Sequence, residues 1–356
     1  MSPVPSTDGS GRTALTDYRA SQRRRLFLVL TLIALGLAAF SIDLVVGPSS
    51  VGLHNTLAAL FGTDEVARPI QVIVWQVRLP MSVMALLVGA ALALAGAEMQ
   101  TVLGNPLAEP FTLGVSYSAA LGAAVAIVLG LSLPGLPAGW MVSANAFLFA
   151  VLSLGAIHAL ARWRGASPQT LILFGIAIGL SAEALLSLLQ FMASTDALQQ
   201  LVFWRMGSLV RADAGSTLIL AVVLAVSIPF SLAASSRFTL LRLGEERARS
   251  LGVDIARLRL GSLLRVGLLS ATAVAFVGVI GFVGLVGPHI ARLLVGEDHR
   301  FLLPASMAVG ALVMLVASIV TKLIIPGLLL PVGVVTALIG LPVFFILVLR
   351  TLGKGR

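Results

Sequence analysis

The chain has 356 residues, of which 58% are hydrophobic and 11% charged, whereas ordinary soluble domains carry about one quarter charged residues. A water-soluble core is excluded as the default, and the absence of cysteine excludes disulfides, thiolate catalysis and cysteine-rich metal sites. The net charge of +9 lies in short segments between apolar runs rather than on one face, a pattern that sets membrane orientation and argues against nucleic-acid binding.

Residues 1–25 are polar and close on Arg23-Arg24-Arg25, directly before the apolar run from Leu26 to Phe40. No small-residue cleavage site follows, so the reading is a cytoplasmic tail followed by an uncleaved membrane helix over 26–46. Further spans are predicted at 79–101, 112–131, 141–161, 170–192, 215–235, 262–281, 284–296, 303–325 and 331–350. The expected fold is all-α: a polytopic membrane protein of about ten transmembrane helices, with a permease-like domain over 26–350 and a short C-terminal tail over 351–356. The segment 284–296 is short for a span, which suggests a tilted or partly interfacial helix.

A cytoplasmic N-terminus leaves only Arg68, Arg78, Arg205, Arg211 and Lys322 of the 24 Lys and Arg residues on the outer side. Both termini are then cytoplasmic. In the second segment, the run from Gly89 to Ala97 is built of small residues that let helix backbones approach closely. Glu98 and Glu183 read as interfacial carboxylates near helix ends, because a charge in hydrocarbon is costly.

The one long, strongly charged internal connection runs from Arg237 to Arg265, and 237–261 is expected to be a cytoplasmic region. Within it, Gly244-Glu245-Glu246-Arg247-Ala248-Arg249-Ser250-Leu251-Gly252 mixes acids, bases and small apolar residues over about two helical turns. Two readings fit: a solvated helix with local ion pairs, or a helix facing a partner. Further on, Gly278, Gly281 and Gly284 resemble a nucleotide-binding glycine run, but their apolar setting fits helix packing or a membrane bend. His54, His158, His289 and His299 are dispersed without metal-ligand spacing, so no metal site is expected. The Gly-x-x-x-x-Gly-Lys-Ser/Thr phosphate loop does not occur in the sequence, and no catalytic residue is expected.

Ordered motifs carry a more specific resemblance. Trp75-Gln76-Val77-Arg78-Leu79-Pro80 is followed by Gly96-Ala97-Glu98-Met99-Gln100, Asn105-Pro106-Leu107-Ala108-Glu109-Pro110 and Leu113-Gly114-Val115-Ser116. Then come Trp204-Arg205-Met206-Gly207-Ser208 and Ala248-Arg249-Ser250-Leu251-Gly252. The last two are Gly281 to Arg292, which contains Pro288-His289, and Leu330-Pro331-Val332-Gly333 with the residues up to Gly340. In this order, over roughly residues 20–350, the sequence resembles the permease subunits of bacterial iron-siderophore, haem and cobalamin ABC importers (FecCD-like). It departs from that pattern at Met81, Ser318 and Leu329, where the family often has charged residues, and at Lys322, which keeps a charge but loses the planar geometry of Arg.

The resemblance implies a type II ABC importer permease fold in the bacterial inner membrane, surrounded by lipid. It also implies a second copy of the chain, two cytoplasmic ATP-binding subunits that use ATP and Mg, and one periplasmic or extracellular substrate-binding protein. This chain would bind no cofactor itself. Gly244, Glu245, Glu246, Arg247, Ala248, Arg249, Leu251, Gly252 and Asp254 would form the ATPase-coupling surface, with Ala248 and Leu251 filling a shallow cleft on the partner. Arg78 and Lys322 would be docking cations for the binding protein. Asn105, Ser167 and Gln169 are polar candidates for the cytoplasmic half of the path, while Gly96, Gln100, Pro106, Pro288, His289, Pro331 and Gly333 mark structural motifs. The expected function is permeation of a ferric-siderophore complex, with haem or cobalamin as the alternative cargo. A proton-coupled transporter lacks a relay of buried acids, and a noncatalytic scaffold would carry no cargo.

Overall fold

The computed structural model describes residues 8–47, 51–62, 66–131, 134–135, 137–164, 167–325 and 327–353, and among them there is no strand. The first helices are α1 (Asp8–Val45), α2 (Leu53–Phe61) and α3 (Arg68–Val72), and α3 continues through a π-helical turn (Ile73–Arg78) into α4 (Leu79–Val102). Then follow α5 (Val115–Leu129), α6 (Met141–Arg164), α7 (Pro168–Met192), α8 (Thr195–Arg205) and α9 (Ala214–Leu241). The chain ends with α10 (Glu245–Ser250), α11 (Ile255–Val277), α12 (Val283–Val295), α13 (His299–Leu323) and α14 (Val332–Gly353). Among the described residues, seven helical stretches are long and apolar enough to cross a membrane, and α5, α12 and α14 supply three shorter apolar ones.

Short polar side chains start these helices. Ser167 accepts from the Thr170 amide at 3.2 Å to cap α7, Asp254 accepts from Arg257 at 3.0 Å to cap α11, and Asp213 forms a capping box with Ser216 at α9. Each cap satisfies an amide that the first helical turn leaves without a partner.

The core is organised on α4, which is buried along nearly its whole length and contacts α9, α11, α12 and α13. Its glycines permit this. A methyl group at Gly89 would overlap the carbonyl of Gly310 in α13, and one at Gly96 would overlap the carbonyl of Gly284 in α12. Small residues thus bring helix backbones together where lipid gives no hydrophobic drive for association.

Several boundaries differ from the sequence expectations. Helix α1 begins at Asp8, so most of the expected 1–25 tail is helical; Lys354 and Arg356 of the expected C-terminal tail lie outside the described residues. The 237–261 region is narrower than expected, because α9 enters it from one side and α11 from the other, leaving α10 and its two joints. Helix α11 stops at Val277 rather than near 281, and Gly278 takes φ 81°. Phe282, at φ 68°, is the one non-glycine residue among those described with positive φ, and α12 begins after it.

The contact between Gly96 and Gly284 shows that α12 starts partway along α4. Backbone groups left without a helical partner at the start of α12 find side chains instead: Gln100 donates at 3.3 Å to the Gly284 carbonyl, to which Pro288 has no amide to offer, and Glu109 accepts from the Phe282 amide at 3.2 Å. The 103–114 connection likewise folds back into the bundle, with Gly114 packed against Gly175 and Gly179 of α7.

Candidate functional site

Helix α10 stands at the end of the bundle between α9 and α11. Gly244 opens it at φ 101°, a region costly for side chains other than glycine, and Gly252 closes the following turn at φ 82°. Glu245 and Glu246 lie in its first turn and Arg247 and Arg249 in its last, which complements the helix dipole. Leu251 is 57% exposed, and Leu243, Glu246, Arg247 and Arg249 also face outward. Ala248 is fully buried within its own chain. This corrects the expectation that Ala248 fills a partner's cleft: with Val253 it anchors α10 to the bundle, and Leu251 is left as the apolar group on offer. Asp254 caps α11 and pairs with Arg257 at 3.0 Å.

Two of the candidates for the path lie beside this helix. Ser167 and Gln169 line a cavity of about 290 Å³ together with Glu245, Arg249 and Arg259, so the start of α7 faces α10 across it. Asn105 builds the turn after α4, accepting from the Leu107 amide at 2.9 Å, and Pro106 is exposed beside it. Gln100 is buried between α4 and α12. Pro288 is buried inside α12, and His289 is half-buried next to it.

At the opposite end, the expected docking cations are not on the surface. Arg78 is 3% exposed and donates to the carbonyls of Val45 at 2.6 Å and of Leu44 and Val51 at 3.3 Å. Lys322 is 4% exposed; its Nζ donates to Asp43 Oδ1 at 2.7 Å and to the Asp43 carbonyl at 2.8 Å. The last carbonyls of α1 have no intrahelical donors and form the negative end of its dipole. Both cations are drawn there, and Ser82 completes the site by donating to Asp43 Oδ2 at 2.6 Å. This end also has a cavity of about 770 Å³ lined by Trp140, Gln199, Phe203, Trp204, Arg211 and Pro331, among others. Gly333 beside it lets α14 meet the Met206 carbonyl.

Of the two carboxylates expected near helix ends, Glu98 lies close to the end of α4 and Glu183 does not lie near the end of its helix. Glu98 is fully buried and holds Arg265 at 2.6 Å and Ser262 at 2.7 Å. Glu183, inside α7 rather than near its end, pairs with Arg205 of α8 at 3.3 Å. Arg259 and Arg265, counted as loop cations in the sequence, are buried or nearly so on α11. The legible signal was their spacing with Ser262, at i, i+3 and i+6 on one helical face, opposite an acid in a neighbouring apolar helix.

The sequence matches the FecCD transport family over residues 31–350. It is 37% identical over 339 residues, 93% of this chain and 96% of the other, to a Methanocaldococcus jannaschii protein described as an ABC transporter permease. It is 40% identical over 285 residues to the vitamin B12 import system permease protein BtuC of Klebsiella pneumoniae, covering 80% of this chain and 85% of that one. Among solved structures, an inward-facing conformation of a metal-chelate type ABC transporter superposes with a TM-score of 0.79 at 34% identity, over 90% of this chain and 98% of the other. PsaBC from Streptococcus pneumoniae, solved with a Fab, shares the fold at a TM-score of 0.54 and 18% identity, over 82% and 94%.

Proposed function

The chain belongs to the FecCD transport family and has the all-α fold of type II ABC importer permeases, and from that premise we propose that it is the membrane-spanning permease subunit of an ATP-driven importer. Two copies enclose a path for a ferric-siderophore complex handed over by a soluble binding protein. Two cytoplasmic subunits supply ATP hydrolysis with Mg, since this sequence has no phosphate loop. The complex sits in the bacterial inner membrane with both termini of this chain cytoplasmic.

The observation that carries this reading is α10. A short helix between two apolar helices, held by a buried Ala248 and presenting Leu251 among charges, is a compact docking element. Charge orients the encounter and the leucine supplies an apolar anchor. Leu251→Asp is expected to reduce ATPase association or uptake per ATP hydrolysed without blocking membrane insertion. Wild-type assembly, ATP hydrolysis and uptake in reconstituted vesicles, at normal abundance, would refute the role of Leu251.

Cobalamin is the second cargo reading, favoured by the relatives named for vitamin B12 import; haem is the third. The ligand retained by the cognate binding protein, and delivered by the reconstituted complex, decides among them.

A further inference from the structure

The end of α4 sends its polar groups to three helices directly and to a fourth through His299. Glu98 meets Arg265 and Ser262 of α11. Gln100 receives Arg292 of α12 at 3.1 Å. The Thr101 hydroxyl meets His299 of α13 at 2.8 Å, and His299 in turn meets Thr239 of α9. The Val102 carbonyl accepts from Arg259 Nε at 2.8 Å. The turn also leads directly into the 103–114 connection, because the Asn105 amide donates to the Gln100 carbonyl at 3.1 Å.

Two of these contacts continue to the joint that opens α10. Arg259 reaches from the Val102 carbonyl to Glu245, the first residue of α10. Arg292 reaches from Gln100 to Glu297 at 3.2 Å, and Glu297 accepts from Arg242 at 2.7 Å, two residues before Gly244. The two chains therefore flank Gly244 and converge on one turn of α4. Their inner members are shielded, with side chains 7% exposed for Arg259 and 15% for Arg292. A guanidinium suits this task because its fixed fork can hold a carbonyl or amide on one side and a carboxylate on the other.

We propose that these two chains act as a bridle that makes α10 and the last turn of α4 a single moving unit, with Arg259 and Arg292 as its positioning residues. A displacement of α10 is then passed to the 103–114 connection, which folds back into the bundle beside α7 and α12. The inference rests on α10 being the surface that meets the ATPase. It adds the route by which motion there reaches the interior, a claim that contact alone does not establish and that needs a coupling measurement.

The test uses Glu245→Gln, Glu297→Gln and the double variant in the full complex with its ATPase and binding protein, reconstituted in vesicles. The two carboxylates are 41% and 42% exposed, so their amides disturb little packing. Each single variant keeps one chain and is expected to lower uptake per ATP hydrolysed modestly. The double variant is expected to lower it by about fivefold or more, the scale of typical site-to-site coupling, with ATPase association measured separately and uptake taken per ATP hydrolysed by the assembled complex. A second readout follows motion directly. The chain has no cysteine, so spin labels at Pro106→Cys and Leu180→Cys report the distance between the connection and α7 with and without trapped ATP. The wild type should show a nucleotide-dependent shift and the double variant should lose it. An unchanged ratio, or a shift that persists in the double variant, overturns the bridle while leaving the permease reading intact. A wild-type complex without ATP-dependent uptake overturns the permease reading and the bridle with it.

Discussion

Lys322→Met separates the buried arrangement from the surface role expected of this cation. In the structure its Nζ lies 2.7 Å from Asp43 Oδ1, with the two side chains 2% and 0% exposed. Removing the ammonium leaves a fully buried carboxylate with the Ser82 hydroxyl as its remaining side-chain donor. Breaking a buried pair by deleting one partner costs about 3–5 kcal/mol, because the other charge stays desolvated and uncompensated. An exposed docking cation would contribute roughly 0–1 kcal/mol to stability. Unfolding in detergent, followed by loss of helical signal, should therefore show a large fall in the midpoint for Lys322→Met. The double variant Asp43→Asn with Lys322→Met removes both charges and should recover most of the loss. If the single variant lies within about 1 kcal/mol of wild type while affinity for the binding protein falls, the buried-pair reasoning is wrong and the surface reading stands.

The sequence made the helices legible because the membrane imposes a length: each apolar run found one helix, from α1 to α14. Depth was not legible. The hydropathy of 284–296 does not say where along α4 this helix begins, whereas the approach of Gly284 to Gly96 does. Charge placement failed for a related reason. Arg78, Arg259, Arg265 and Lys322 sit near segment ends, where a linear reading assigns them to water. In three dimensions a long cation reaches inward to a carbonyl or carboxylate. Ala248 shows the limit for α10: the motif located the helix, but its inward face follows from how Gly244 and Gly252 turn the chain.

Gly96→Ala should destabilise the protein by about 1–3 kcal/mol, since its methyl group would press on the Gly284 carbonyl and backbone cannot yield as a flexible side chain does. Gly36→Ala is the control. It meets nothing within 4 Å in α1 and should be neutral or slightly stabilising in the same unfolding assay. Asp298 gives a pH dependence whose sign follows from its partners. It caps α13, accepting from the Arg300 amide at 3.1 Å and from the Arg300 guanidinium at 2.7 Å. That guanidinium holds its carboxyl below the ordinary value, chiefly by hydrogen bonding and against the opposing effect of burial. A folded-state value below the unfolded one, about 3.9, means the contribution to stability is fully present above that pH and is lost as pH falls through the folded value. Asp298→Asn keeps an oxygen for the cap but removes the charge. The variant should be less stable than wild type at pH 6, and the difference should shrink steadily as the pH is lowered below about 4. A difference in unfolding midpoint that stays constant across that window would mean that the charge does not carry Asp298's contribution.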